Sequence, residues 1–172
     1  MRIAPFAVLA AAALLSACGT SQRAEAPPCP PVSVLADASE MTRFRPGPGR
    51  DITDVELEAE ITGFRGSCVY RGNTAHMTLA VAIEVKRGPA AQGREADLPF
   101  FLAIPAFYPA DEAKAVLPVR IAFPPNVEAV RYVEENIELT VPMKEGEALE
   151  TYRIYLGLQL DEAQLEYNRQ QR

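Results

Sequence analysis

Apolar and polar residues alternate with a period of two along most of this chain, and this period predicts β-strands with two different faces. The cleanest run lies at residues 77–85, where Met77, Val81 and Val85 mark an apolar face opposite small and polar residues. Another run, at residues 55–62, alternates glutamates with apolar side chains. Further alternating runs lie at residues 117–123, 137–141 and 152–160. We therefore expect strands rather than helices over most of the chain.

Turn signals separate these runs at short spacing. Proline and glycine mark a loop at residues 42–51, and a tight turn is expected at residues 71–74. Gly63 and Gly66 interrupt a strand pattern, which predicts a turn or a bulge. A short polar helix is expected after Asp161, which is a suitable N-cap. About seven or eight short strands and almost no helix predict an all-β fold, an antiparallel β-sandwich with a short C-terminal helix.

The succession of strands resembles immunoglobulin-like and fibronectin-type-III-like domains in architecture only. The chain has no tryptophan, and its cysteines do not follow the antibody pattern. The segment from Tyr155 to Arg169 resembles the end of a group of small proteobacterial envelope lipoproteins, to which no activity is assigned. These resemblances imply a sandwich domain of the cell envelope, and they carry no catalytic residue over to this chain.

Residues 1–17 have the layout of a secretory signal. Arg2 supplies a positive start, and residues 3–15 are apolar and uncharged. A helix that spans a bilayer needs roughly 20 apolar residues, so this run is too short to be one. We expect the segment to be cleaved from the protein. The remaining chain then divides into a flexible tether at residues 18–31 and a folded domain at residues 32–172.

The order Leu15-Ser16-Ala17-Cys18 resembles the lipobox of bacterial lipoproteins. In that family the cysteine thiol receives a diacylglycerol group, cleavage occurs just before it, and the new N-terminus takes a fatty-acyl chain such as palmitate. The resemblance implies that Cys18 is lipidated. Gly19 follows in place of the Asp that retains such proteins in the inner membrane, which favours the outer membrane. The alternative is an ordinary signal peptide that is cut after Ala17.

The net charge of the chain limits the classes of partner that it is expected to bind. The formal net charge is −6 at pH 7, and removal of Arg2 with the signal makes the mature protein more negative still. An acidic domain gains nothing from phosphate contacts, so we expect no binding to nucleic acid. Anionic headgroups do not attract it either, so membrane association is expected to come from the lipid on Cys18 alone.

The chain has three cysteines. Once Cys18 is assigned to lipid, two remain, Cys29 and Cys68. The compartment beyond the inner membrane is oxidising, so we predict a Cys29–Cys68 disulfide. The alternative is two buried free thiols. A metal centre is not expected, because the chain has one histidine and no cysteine pair at ligand spacing. No cofactor is predicted.

Two features of the polar strand faces are candidates for a catalytic or metal site. His76 is the only histidine, and no serine in a nucleophile-elbow context stands ready to pair with it, so a solvated imidazole is the simpler interpretation. Glu56, Glu58 and Glu60 form a carboxylate row on one strand face. Calcium prefers a curved loop of oxygens to a flat row, so we expect a charged face that discourages edge pairing.

Two other features are candidates for contacts with a partner or a ligand. Arg43, Arg45 and Arg50 decorate the Pro-Gly loop, and their guanidinium groups could meet an anion. The aromatic run at residues 100–108, with Phe101 and Tyr108, supplies more apolar surface than one strand needs. It either forms an exposed patch or packs under a loop or the terminal helix, and we favour packing.

These observations favour a protein that is not an enzyme. We expect a lipoprotein anchored in the outer membrane and facing the periplasm, where it acts as an adaptor, assembly factor or structural element of the cell envelope. Its partner is expected to be an envelope protein, reached through the loops or by pairing of a sheet edge with an extended segment. The alternative is a binding module for a small molecule or a cell-wall glycan. A hydrolase is a third and weaker interpretation.

Overall fold

The computed structural model describes residues 27–171. The predicted signal peptide, Cys18 and the first part of the predicted tether lie outside these residues. The described part begins with Pro27 and leads into the first strand within a few residues. Within this part, no helix has the length and apolar character needed to cross a membrane.

Ten strands and one α-helix make up the domain, together with short 3₁₀ turns. The strands in chain order are Val32–Val34 (β1), Glu40–Phe44 (β2), Val55–Arg71 (β3), Thr74–Arg87 (β4), Glu95–Asp97 (β5), Phe100–Ala103 (β6), Lys114–Leu117 (β7), Arg120–Ala122 (β8), Ala129–Pro142 (β9) and Ile154–Leu158 (β10). The helix, α1, is Glu162–Gln170.

The strands form two four-stranded sheets and one small pair. Sheet I has the order β2-β3-β4-β9, sheet II has the order β1-β10-β6-β7, and β5 pairs with β8. Every pairing is antiparallel except that of β1 with β10, which is parallel. The prediction of an all-β, mainly antiparallel sandwich with one short C-terminal helix is confirmed. The likeness to immunoglobulin-type domains concerns this architecture alone.

Alternate residues of the two sheets meet in a single core. From sheet I the core takes one face of β4, including Val81, Ile83 and Val85, none of which is exposed to solvent. From sheet II it takes Phe100 and Leu156, which are equally buried. This alternate burial follows from the two-residue period of the sequence, because a strand covered on one side buries every second side chain.

β3 and β4 form a long hairpin that runs the length of sheet I. Gly72, at φ +59°, turns the chain between them. The register shifts between Ile61 and Gly63, so the glycines of this strand mark a bulge and not a turn. The bulge changes which residues of β3 lie opposite the core residues of β4. Before it Ile61 lies opposite Ile83, and after it Phe64 lies opposite Val81.

Two segments differ from the sequence-based expectation. Residues 42–44 were expected in a loop and belong to β2, where Thr42 and Arg43 pair with β3. The sequence of residues 127–133 is compatible with either an edge strand or an irregular crossing, and from residue 129 they form the first part of β9. In both cases the partner strand decides the conformation, since neither segment has a clear two-residue pattern of its own.

A disulfide links the first residues that the structure describes to β3. Cys29 and Cys68 form a disulfide with a Cα–Cα distance of 5.8 Å, which confirms the predicted pair. Nearby, the Tyr70 hydroxyl donates a 2.7 Å hydrogen bond to the carbonyl of Pro28. Pro30 is fully buried, so the end of the segment predicted as a tether packs on the domain.

Helix α1 begins with a complete capping box and folds back onto the first strands. Asp161 accepts a hydrogen bond from the backbone N–H of Gln164, whose side chain accepts one from the N–H of Asp161. The Asn168 amide donates to the carbonyl of Glu40, and the Tyr167 ring meets Phe44 edge-on at 5.0 Å between centroids. These contacts hold the helix against β2 at the end of the sandwich.

We expect loss of the disulfide to destabilise the domain substantially. The bond links residues separated by 39 positions, and in the chain-entropy model a loop of this length contributes about 4 kcal/mol. The double variant Cys29→Ala/Cys68→Ala should lose about that free energy of unfolding in urea titration. Wild-type protein after reduction should match it, whereas alkylation of both thiols in the untreated native protein would contradict the bond itself.

Candidate functional site

A groove with a mainly apolar lining lies on the outer face of sheet II, and we call it the Phe101 groove. The short turn Ala36–Ala38, helix α1 and the strand ends around Phe101 enclose about 540 Å³. Its apolar lining consists of Leu35, Ala36, Ala38, Phe101, Leu158, Leu160 and Leu165. This volume is within the range of pockets that hold small ligands.

Phe101 lies on this outer face because its neighbours in β6 take the core positions. Phe100 and Leu102 belong to the core, whereas Phe101 pairs with Gly157 of β10. A Cβ atom on Gly157 would lie 2.7 Å from the Phe101 ring and 2.9 Å from Ala38. Glycine at this position therefore lets the ring lie flat against the sheet, where only 9% of Phe101 is exposed.

Charged groups stand around the apolar lining of the Phe101 groove. The Lys114 ammonium lies 4.4 Å from the centroid of the Phe101 ring, a cation–π contact, and no carboxylate among the described residues forms an ion pair with it. Arg169 of the helix is bound to Asp37 at 3.4 Å. The side-chain oxygen of Gln159 is buried and has no hydrogen-bond partner within residues 27–171. The groove thus combines an apolar lining with a cation and a spare acceptor.

The other aromatic residues of the run separate into different environments. Phe100 is in the core, and Phe107 packs on it with its ring 6.2 Å from that of Tyr152. Tyr108 is 80% exposed and does not line the Phe101 groove. The predicted pair of contact residues is therefore divided: Phe101 lines a groove, and Tyr108 stands alone on a loop.

The three arginines near the Pro-Gly loop bind different parts of the protein. Arg43 donates a 2.7 Å hydrogen bond to the carbonyl of Asp97. Arg45 forms a 2.5 Å ion pair with Asp54, whose side chain is buried. Arg50 donates to two carbonyls of its own loop and stacks on Phe44 at 5.3 Å. The structure does not converge them on one anion site, and their contact with a partner stays a prediction.

The second half of β3 is an unpaired sheet edge, which we call the open edge (residues 62–71). β2 pairs with β3 only from Val55 to Glu60, because β2 has five residues and β3 has seventeen. The carbonyl of Ser39 accepts from the N–H of Ile61 and closes that ladder. Beyond it, within the described chain, β4 is the only strand that pairs with β3. Within the described residues, the open edge therefore has a neighbouring strand on one side only.

The side chains of the open edge are basic and apolar. It contains two arginines, Arg65 and Arg71, and no acidic residue, although the whole chain is acidic. Two large apolar side chains are exposed on it, Phe64 by 43% and Val69 by 66%. Arg65 is bound to Glu135 of β9 at 2.6 Å. A basic strand edge with exposed apolar groups is an unusual surface for an acidic protein.

The opposite edge of sheet I is protected in the usual ways. β9 contains four charged residues, ends at Pro142 and is distorted at Asn136, which has φ +59°. Charges, a proline and a bulge each discourage the addition of a further strand. The open edge also follows a bulge and contains two arginines, but residues 62–71 include no proline and no residue at positive φ, so of the two edges of sheet I it is the one more ready to pair.

Next to the open edge, the outer face of sheet I is acidic, as the sequence predicts for the row of glutamates. Glu58 and Glu60 lie opposite Lys86 and Glu84. A hydrogen bond from Lys86 to Glu84, and the charges of Glu84, Glu58 and Glu60, raise the pKa of the Lys86 ammonium. Within residues 27–171, no group of three or more His, Cys, Asp or Glu side chains is placed to hold a metal ion.

His76 lies on the same outer face, between Val69 of the open edge and Thr140 of β9. It is partly buried, and the alternation that placed it on the polar face of β4 is correct.

Sequence reasoning did not find the open edge, because the length of a neighbouring strand leaves no local signal in the strand that lacks it. No family model, curated protein or solved structure matches this chain.

We expect Gly157→Ala to destabilise the domain, because the new methyl group would meet the Phe101 ring and Ala38. Crowding of this kind costs about 1–3 kcal/mol in free energy of unfolding. Gly63→Ala is the matched control, since Gly63 also lies in a strand and a Cβ there meets nothing within 4 Å. Denaturant unfolding of both variants checks this, and equal losses would show that the Phe101 contact does not matter.

Proposed function

We propose that this protein is a lipid-anchored adaptor of the bacterial cell envelope, facing the periplasm from the outer membrane. The observation that carries the proposal is the Cys29–Cys68 disulfide. Such bonds persist in oxidising compartments, which supports an address beyond the inner membrane. The bond also uses two of the three cysteines, which leaves Cys18 for the lipid that the Leu15-Ser16-Ala17-Cys18 pattern implies.

The anchor and the domain are close together in this proposal. Pro28, whose carbonyl contacts the domain, lies ten positions after Cys18. A chain of this length spans about 35 Å at most. Two or three acyl chains hold a protein stably on a bilayer, whereas one holds it only marginally. The sandwich is thereby kept near the membrane, where an adaptor meets other envelope proteins.

Partner binding is the activity that fits the surfaces of the domain. The open edge offers unpaired backbone groups over about ten residues, and extended segments bind such edges by adding a strand. The partner would be another envelope protein, and the reaction would be assembly rather than chemistry. The proposal therefore assigns no catalytic residue and no cofactor.

A second candidate function is the binding of a small molecule in the Phe101 groove. Its apolar lining, with Lys114 unpaired among the described residues, suits an aliphatic molecule with an anionic group better than a glycan. This function could accompany the first, since the open edge and the groove belong to different sheets.

The anchor predicts a defined mature protein. Intact-mass measurement after detergent extraction should find a chain that begins at Cys18 and carries diacylglycerol and a further acyl chain. Cys18→Ala should abolish the added mass and the need for detergent. The double variant Cys29→Ala/Cys68→Ala is the control, and it should still be lipidated. A mature chain with an unmodified Cys18 would reject the anchor.

The groove predicts ligand-dependent stability. Decanoate should raise the melting temperature of the mature protein, because its chain would cover the apolar lining and its carboxylate would meet Lys114. Lys114→Gln should remove most of this shift, whereas Lys144→Gln, on an exposed turn outside the groove, should retain it. Soluble cell-wall fragments tested in parallel represent the glycan alternative. The absence of any shift with decanoate would reject the aliphatic ligand.

A further inference from the structure

We propose that the open edge binds an extended acidic segment of a partner protein, which adds a strand to sheet I beside β3. This inference rests on the partner-binding function proposed above and names its surface and the chemistry of the partner. It follows from three properties of residues 62–71: backbone groups that no strand of the described chain pairs on one side, two arginines of which only Arg65 has an ion pair, and exposed apolar side chains.

The backbone provides the first property. β2 stops opposite Glu60, and within residues 27–171 no strand continues its line beside the rest of β3. A strand edge presents alternating N–H and C=O groups to that position, and an extended peptide can pair with them. At about 3.3 Å per residue, ten residues give about 33 Å of edge. That length accepts a complete strand rather than a single contact.

The outward side chains provide the second property. After the bulge, Arg65 and Arg71 lie opposite Ala80 and Thr74 of β4, and they share one face because they are six residues apart. Opposite charges placed directly across neighbouring strands stabilise pairing, and like charges oppose it. The segment that fits therefore has one carboxylate opposite Arg71 and a second one, six residues away on the same face, that would share Arg65 with Glu135 of β9. Arg71 has no ion pair within the described residues and is free to meet one of them.

The inward side chains provide the third property. Phe64 lies opposite Val81 and Cys68 opposite Met77, and both of these β4 residues are in the core, so Phe64 and Cys68 face the core side of the sheet. Phe64 is nevertheless 43% exposed, and β4 is the only strand within residues 27–171 that pairs with this part of β3. An added strand with apolar residues at alternate positions would cover this ring and extend the core by one strand.

A second copy of this chain is a poorer occupant. It would bring the same two arginines to the new ladder and no carboxylate, since residues 62–71 contain no acid. The other acidic residues of sheet I lie on β2, on β4 and in the first half of β3, which already pair with neighbours, and on the edge strand β9, where Pro142 and the distortion at Asn136 discourage pairing. Charge complementarity therefore favours a separate chain with an acidic and apolar alternation.

A peptide experiment tests this directly with the mature, lipidated protein in detergent micelles. The probe is a nine-residue peptide with valine at alternate positions, two glutamates six residues apart on the other face, and threonine between them. The matched control has lysines in place of the two glutamates. We expect the glutamate peptide to bind at least tenfold more tightly, and to slow hydrogen exchange at the amides of residues 63–69.

Charge reversal in the protein provides the second arm. Arg71→Glu should weaken the glutamate peptide at least tenfold and strengthen the lysine peptide. The control is Arg120→Glu on β8, an exposed position in the β5–β8 pair outside sheet I, which should change binding less than twofold. Equal affinity for both peptides, or protection outside residues 63–69, would overturn the proposal. Protection of these amides without peptide, together with a dimer in sedimentation, would assign the edge to a second copy instead.

Photo-crosslinking in living cells separates this inference from the proposed function. The crosslinker is placed at Val69 on the open edge or at Val116 on the outer face of sheet II, both of which are exposed. Crosslinks from Val69 to an acidic extended segment support the inference. Crosslinks to a protein from Val116 alone would retain the adaptor function and overturn the open edge as its surface. No crosslink from either position would count against both.

Discussion

The packing of two sheets against each other through alternate side chains is the constraint on which the rest of this structure depends. One face of β4 and one face of β10 are wholly buried, and neither strand has a second apolar face of the same extent. Burial of apolar surface is the main stabilising term in such a domain, at about 25 cal/mol per Å². Every other feature, including the groove and the open edge, is a property of what this packing leaves outside.

The mismatch of strand lengths in sheet I follows from that constraint. β4 is long because it contributes to the core from Ala75 to Val85, and β3 pairs along it although the buried core residues of β3 end at Ile61. β2 is short because the chain arrives there from sheet II through the turn Ala36–Ala38. A crossing between sheets uses residues that would otherwise extend the ladder. The open edge is thus a result of topology, and its two arginines and exposed apolar groups are what the proposed partner would meet.

Much of the fold could be predicted from the sequence because its signals are local. The two-residue period located β4, and the capping pattern at Asp161 located the helix. The disulfide followed from counting cysteines. β2 and the first part of β9 could not be recognised, because pairing with a long neighbour imposes their extended form. The loop arginines could be named but not their partners, since Asp54 and Asp97 reach them only in the folded chain.

If the protein is anchored through Cys18 as proposed, the sulfur bridge has a mechanical consequence. Tension on the chain before Cys29 passes through the bond to Cys68 and spreads into the longest strand, which pairs with β4 along most of its length. β1 has only three residue pairs with β10 and would be the first element to peel under load if the force ran along the backbone. The crosslink removes β1 from the line of force, so a pull from the membrane loads the strongest ladder of the sandwich.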